Sequence, residues 1–318
     1  MSLASMKSSD RISILRDRAE MFQAIRHFFA ERGVIETDCP LISSSASVDA
    51  HIDLIPIRDV HNCERYLHSS PEYGMKRLLS EGIGDIYQLA HVFRQGEYGQ
   101  RHNPEFMMAE WYRLGMPFEE MIEETLDFIR LFVGPLPGAV ISYREAIKKY
   151  TGIDYVNASV EEISELLGDK VYKGAENEGK DALLNILLPL YVEPQLGQGE
   201  LTALAYYPAT QAALAKTQNI DGEAVAERFE VYFKGVELAN GYHELADAKE
   251  QRQRLIEANQ ARVKMGKREL PVDERFLKAL DKGLPECCGV AVGVDRLMLL
   301  RHAKSSLKEV IPFDWEQA

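Results

Sequence analysis

Three runs in the 318-residue chain combine residue types and spacings that chemistry can use. The first is Val92 to Tyr112, VFRQGEYGQRHNPEFMMAEWY. Read as strand, turn and strand, it sets Arg94 at the end of the first strand and Arg101, His102 and Asn103 in the turn. Phe106, Met108, Glu110 and Tyr112 then share one face of the returning strand, because side chains alternate with period two. A ring to stack on and a guanidinium to meet a phosphate suit a nucleotide. The second run is Glu230 to Glu244, EVYFKGVELANGYHE. Glu230, Tyr232 and Lys234 fall on one face of a regular strand, and Glu237, Asn240 and Glu244 follow. Carboxylates embedded among apolar residues need a cation, so this run suggests ligands for Mg²⁺ or an ammonium group. The third is Gly289 to Leu299, GVAVGVDRLML, where small residues deliver Gly293 and then Asp295 and Arg296 to a helix start.

Other devices are absent from the sequence. It has no GxxxxGK[ST], no GxGxxG after a strand and no GxSxG, and His243-Glu244 lacks the second histidine of HExxH. Cys39, Cys63, Cys287 and Cys288 form no CxxC and read as free thiols of a reducing compartment, which points to the cytoplasm.

The elements that must position the three runs follow from periodicity. Met21, Phe22, Ile25, Phe28 and Phe29 make one face of a helix over Ile14 to Arg32, closed by Gly33. A short strand over Val34 to Cys39 stops at Pro40, and a loop to His61 holds one strand at His51 to Ile57. Helices are expected at Glu72 to Glu81, Phe118 to Phe132, Asp247 to Lys264 and Asp295 to Arg301. Strands are expected at Asp85 to Phe93, Glu105 to Arg113, Leu204 to Tyr206 and Gly289 to Val292, with an antiparallel pair centred on Arg228 to Leu238. The stretch 142–196 reads as helical pieces and acidic turns with no site-like pattern. The expected fold class is therefore α+β, one domain over residues 11–318 after an unstructured start at 1–10, with a mostly antiparallel sheet flanked by helices.

Composition narrows the function. With 37 Lys+Arg against 50 Asp+Glu, the net charge of −13 opposes a generic nucleic-acid binder. No apolar run approaches the roughly 20 residues a bilayer requires.

In this order the three runs resemble motifs 2 and 3 of class II aminoacyl-tRNA synthetases together with the metal-binding strands between them, and Met21 to Pro40 resembles motif 1. RHNPEF at Arg101 to Phe106 and ELANGYHEL at Glu237 to Leu245 are similar to the lysyl branch. The anticodon-binding domain of that branch has no counterpart ahead of motif 1. SSPEYGMKRLL at Ser69 to Leu79 and Ala291, where synthetases have glycine, resemble its truncated relatives, ligases that attach a lysine-type amino acid to elongation factor P. One departure stands out, since the motif 2 pattern Arg-x-Glu has Gly96 at its third position and the carboxylate one residue later, at Glu97.

The resemblance implies that lysine or β-lysine is activated with ATP and Mg²⁺ as an adenylate and passed to elongation factor P. Arg94 and Arg296 would be the catalytic arginines. Gln95, Gly96, His102, Asn103, Phe106, Glu237, Leu238 and Gly293 would complete the ATP site, and Glu230 and Glu237 would hold the metal. Ser70, Pro71, Glu72, Glu110, Tyr112, Asn240, Glu244 and Ala291 would bind the amino acid. It further implies a homodimer formed through Met21 to Pro40, with no stable tRNA binding and no membrane. Two alternatives remain at this level: a lysyl-tRNA synthetase-like core charging tRNA with help, and a catalytically silent regulatory paralogue.

Overall fold

The computed structural model describes residues 8–45, 47–172, 175 and 179–318, which divide into two compact units. The first unit comprises 1–116, 127–134 and 245–318, and the second 117–126 and 135–244.

In the first unit the helix Ser8–Glu31 begins six residues before its expected start at Ile14. Residues 8–10, expected to be unstructured, are thus helical, and the remainder of that expectation, 1–7, lies outside the described residues. The helix buries Ile14, Met21, Ile25, Phe28 and Phe29. Gly33, at φ 67°, takes the left-handed conformation that ends it. Its Phe29 ring stacks on Tyr87 at 4.1 Å and meets Trp111 edge-on at 5.2 Å, so the helix is bolted to a sheet by aromatic contacts. In that sheet Glu105–Leu114 lies antiparallel to both Ile86–Phe93 and Cys287–Gly293, and Ile35–Glu36 adds a short parallel edge beside Ile86–Phe93. A separate three-stranded sheet joins Ile42–Ser43, Glu64–Leu67 and Pro56–Arg58.

The second unit centres on Glu223–Phe233, which pairs antiparallel with Leu201–Pro208, Val236–His243 and Thr217–Ile220. Gly138–Ser142 runs parallel to Leu201–Pro208. Tyr143, Ile147, Ile163, Leu184 and Leu187 from the helical stretch pack with Leu204, Tyr207 and Tyr232 into a closed core. Antiparallel pairing with helical cover in each unit is the α+β class expected from the sequence.

Several boundaries differ from expectation for identifiable reasons. The strand expected over 51–57 begins only at Pro56. The Asp49 carboxylate accepts from the His51 and Ile52 N–H groups and bends the chain there, while the buried Arg262 guanidinium donates to the Asp49 and Ile52 carbonyls. The strand expected over 34–39 shrinks to Ile35–Glu36, since the Gln88 amide ties down both the Cys39 N–H and its carbonyl. Leu204 to Tyr206 extends to Leu201–Pro208. Lys234 does not share a face with Glu230 and Tyr232, because it sits at φ 52° in the turn after Phe233. Strands Glu64–Leu67, Gly138–Ser142 and Thr217–Ile220 and the helix Glu274–Gly283 have no counterpart among the expected elements.

One close approach fixes the helix Glu72–Leu79, where a Cβ at Gly74 would stand 2.9 Å from the Cys39 sulfur. Gly74→Ala is therefore expected to destabilise the fold by about 1–3 kcal/mol through overpacking. Cys39→Ala removes the sulfur but leaves its Cβ 3.0 Å away, so it should recover only part of that loss, as urea titration of the single and double variants will show.

Candidate functional site

In the first unit, strand pairing aims the arginines. The backbone N–H of Arg94 donates to Pro104 O at 2.8 Å and that of Gln95 to Asp53 O at 2.8 Å, closing the base of the turn, and Gly96 follows at φ 83°. The Arg94 guanidinium lies 5.1 Å from the centre of the Phe106 ring, and Glu97, the displaced motif 2 carboxylate, is 3.6 Å from it. Arg296 arrives from the other side. All seven residues of Cys287–Gly293 pair with the strand carrying Phe106 and Glu110, and the helix Val294–Arg301 starts immediately afterwards. Buried Asp295 anchors that start by pairing with buried Arg18 at 2.6 Å and accepting from the Met107 N–H at 3.0 Å. Arg296 Nη2 consequently stands 2.9 Å from His102 Nε2. Burial, and then the positive charge of Arg296, lowers the His102 pKa below its ordinary 6.5, so its ring is neutral at pH 7. A Cβ at Gly293 would meet only the Arg296 side chain, at 3.9 Å, so packing within the protein does not require a glycine there. Asn103 turns out to brace the loop, its amide donating to Glu105 O at 2.6 Å and accepting from Trp315 N–H at 3.1 Å.

The acidic cluster of the same unit is tightly networked. Glu110 is 2% exposed and accepts from Ser70 Oγ and Tyr112 OH, each at 2.7 Å. Ser70 Oγ in turn accepts from the Glu72 N–H at 2.9 Å, doing the capping that Pro71, at the N-cap, has no side-chain group to do. Ala291 is the cross-strand partner of Glu110, which puts its methyl on the same face as that carboxylate. Burial, reinforced by the charges of Glu110 and Asp38, pushes the Cys39 thiol up to about 11, so it stays protonated and is no nucleophile.

In the second unit Glu230, Tyr232, Glu237 and Asn240 lie on one face of the hairpin. Glu230 pairs with Asn240 and Tyr232 with Glu237, and Leu238 is the extra residue of the bulge between those pairs. Glu230 is 7% exposed and accepts from Arg228 at 2.5 Å, Tyr207 at 2.6 Å and Tyr232 at 2.5 Å. Burial, then Glu230, raises both tyrosine pKa values well above normal, so their hydroxyls remain donors. A carboxylate offers about four acceptor positions. Three are taken, which leaves Glu230 room for one bond to a metal, and Mg²⁺ asks for only one or two protein carboxylates when phosphates supply the rest. Glu230 therefore has room for the ion, and Glu237 lies on the same face of the hairpin. Asn240 donates to Tyr242 OH at 3.0 Å, and buried Glu244 forms a bridge with Ala215.

Sequence reasoning misses Lys76, Arg228, Tyr207 and Arg262. Two of these carry a readable signal: Lys76 is four residues after Glu72 on one helix, and Arg228 is two residues before Glu230 on one strand.

The antiparallel sheet bearing a motif 2 arginine, with a second arginine at the start of the following motif 3 helix, is the arrangement of a class II synthetase. The family model for tRNA synthetases class II (D, K and N) matches residues 2–317, and the chain belongs to that family. Within it, the chain is similar to proteins named elongation factor P–(R)-beta-lysine ligase. It is 41% identical to that of Avibacterium paragallinarum over 100% of both chains. It is also 42% identical to that of Histophilus somni (strain 2336) over 96% of each, and 42% identical to that of Proteus mirabilis over 98% of each.

The lowered His102 pKa has a thermodynamic consequence. The folded state binds the His102 proton more weakly than the unfolded state, so stability falls as pH drops through the ordinary 6.5. His102→Gln should shrink the loss of stability between about pH 7 and pH 5, followed by urea titration. A loss equal to that of the wild type would reject the assignment.

Proposed function

We propose that this chain is an AMP-forming ligase that activates (R)-β-lysine, or lysine, with ATP and transfers it to a lysine side chain of elongation factor P. The observation that carries this reading is the 41% identity to a ligase of that name over the whole of both chains. The paired arginines and the hydroxyl-bound Glu110 support it, and the presence of Arg94 and Arg296 argues against a silent paralogue.

In the first step the amino-acid carboxylate attacks the α-phosphorus of ATP, and the bond to the bridging oxygen breaks to release pyrophosphate. No protein nucleophile is needed, so the task is positioning and charge stabilisation. We assign the α-phosphate to Arg94, the γ-phosphate to Arg296 with His102, and the adenine to Phe106. Backbone contacts fall to Gln95, Gly96 and Leu238, and close approach to Gly293. Asn103, braced in that loop, completes the nucleotide pocket with His102. Mg²⁺ held by Glu237 and one oxygen of Glu230 would neutralise phosphate charge. For the two ammonium groups we assign Glu72 and Glu110, with Ser70, Pro71 and Tyr112, in the first unit, and Glu244 with Asn240 in the second; the Ala291 methyl beside Glu110 shifts where an ammonium can sit. In the second step the deprotonated ε-amine of the acceptor attacks the adenylate carbonyl. The bond between the carbonyl carbon and the phosphate oxygen breaks, AMP leaves with its electron pair, and the nitrogen releases a proton to solvent as the amide forms.

Ile35, 47% exposed, supports a homodimer through Met21 to Pro40. Four cysteines that form no disulfide support a cytoplasmic setting, and among the described residues no helix is long and apolar enough to cross a membrane.

Mass spectrometry of elongation factor P after incubation with ATP and each lysine isomer is expected to show one added lysyl group, more efficiently from (R)-β-lysine. Glu244→Ala should abolish the addition. Efficient charging of tRNA with an unmodified elongation factor P would overturn the reading. Ala291→Gly is expected to narrow the preference between the isomers in ATP–pyrophosphate exchange, and an unchanged ratio would clear Ala291 of that role.

A further inference from the structure

Lys76 has 0% exposure, and its ammonium lies 2.6 Å from Glu72 Oε1, one helical turn away. The rings of Tyr112 and Phe276 are each 6.0 Å from its nitrogen. Taking such a pair out of water is costly, and apolar side chains of similar volume often serve stability as well or better. An ion pair four residues apart on a helix is formed equally well on a wet surface. Its burial beside Tyr112, whose hydroxyl holds Glu110, therefore calls for an explanation other than stability.

We propose that Lys76 is a positioning residue of the amino-acid pocket, holding Glu72 in one orientation and setting which ammonium position of the substrate the pocket accepts. This rests on the reading of Glu72 and Glu110 as that pocket. A carboxylate already sharing one oxygen with a fixed ammonium attracts a second cation less strongly. It also attracts it in a narrower set of directions, along the acceptor positions the first leaves. Binding then depends on where the substrate carries its charge, which is how α- and β-amino acids of the same composition differ. Lys76 takes no part in bond making, and its effect passes through Glu72.

The test is a double-mutant cycle of Lys76→Met and Glu72→Gln, read by ATP–pyrophosphate exchange with each lysine isomer and by melting temperature. Lys76→Met is expected to raise the amino-acid KM by about tenfold and to shrink the ratio of kcat/KM between isomers, leaving the KM for ATP within about twofold. With Glu72→Gln already in place, Lys76→Met should change KM and the isomer ratio no further. Should Lys76→Met fail to fold, Lys76→Gln takes its place in the cycle. A wild-type KM and isomer ratio in the lysine variant overturn the proposal, as does an equal effect in both backgrounds. A fall in melting temperature with those two quantities unmoved reduces Lys76 to a structural role. If the wild-type protein shows no exchange with either isomer, the pocket reading fails first and the proposal with it.

Discussion

A charge taken out of water must be met by an opposite charge or by donors, and this constraint orders the protein more than any single contact. Arg18 and Asp295 answer it where the helix carrying Arg296 begins. Lys76 answers it for Glu72, and Arg228 with two tyrosines answers it for Glu230. Arg262 answers it for the loop that ends at Asp53, whose carbonyl then receives the Gln95 N–H. Each pairing fixes in one place a side chain of the candidate site or an element that carries one. The carboxylates of the candidate site are held by opposite charges, hydroxyls or both, and the apolar core brings the strands together.

The strand Glu105–Leu114 shows how core and site divide the work. Its alternation sends Trp111 to the aromatic cluster with Phe29 and Phe128, and sends Glu110 and Tyr112 to the opposite face, where Ser70 and the Ala291 methyl meet them. Antiparallel neighbours on both sides, Ile86–Phe93 and Cys287–Gly293, set its register, and a slip of one residue would exchange the two faces. The arginines follow from the same register, Arg94 at the end of one neighbour and Arg296 just past the end of the other.

Long elements with strong periodicity are legible in the sequence. The helix under the aromatic cluster, the hairpin at Glu230 and the strand-to-helix junction at Arg296 can all be read there, because side-chain period and capping residues are local properties. The loop 49–53 cannot. Its course is decided by an aspartate turn and by Arg262, more than two hundred residues away along the chain. Asn103 reads from its motif as a group facing nucleotide, and only the fold shows that one of its amide hydrogens is also used by Glu105 and one acceptor position of its oxygen by Trp315.

Which residues could do chemistry, in what order, and with what surplus of acid are properties of the sequence itself, since composition, spacing and motif wording do not depend on the fold. Which of those acids already have a partner is decided only by tertiary structure. Glu72, Glu110 and Glu230 look alike in the sequence. In the fold one faces an ammonium, one two hydroxyls, and one a guanidinium and two phenols. Coulombic and hydrogen-bonding partners act across space within a few ångströms, and chain closure alone determines who those neighbours are.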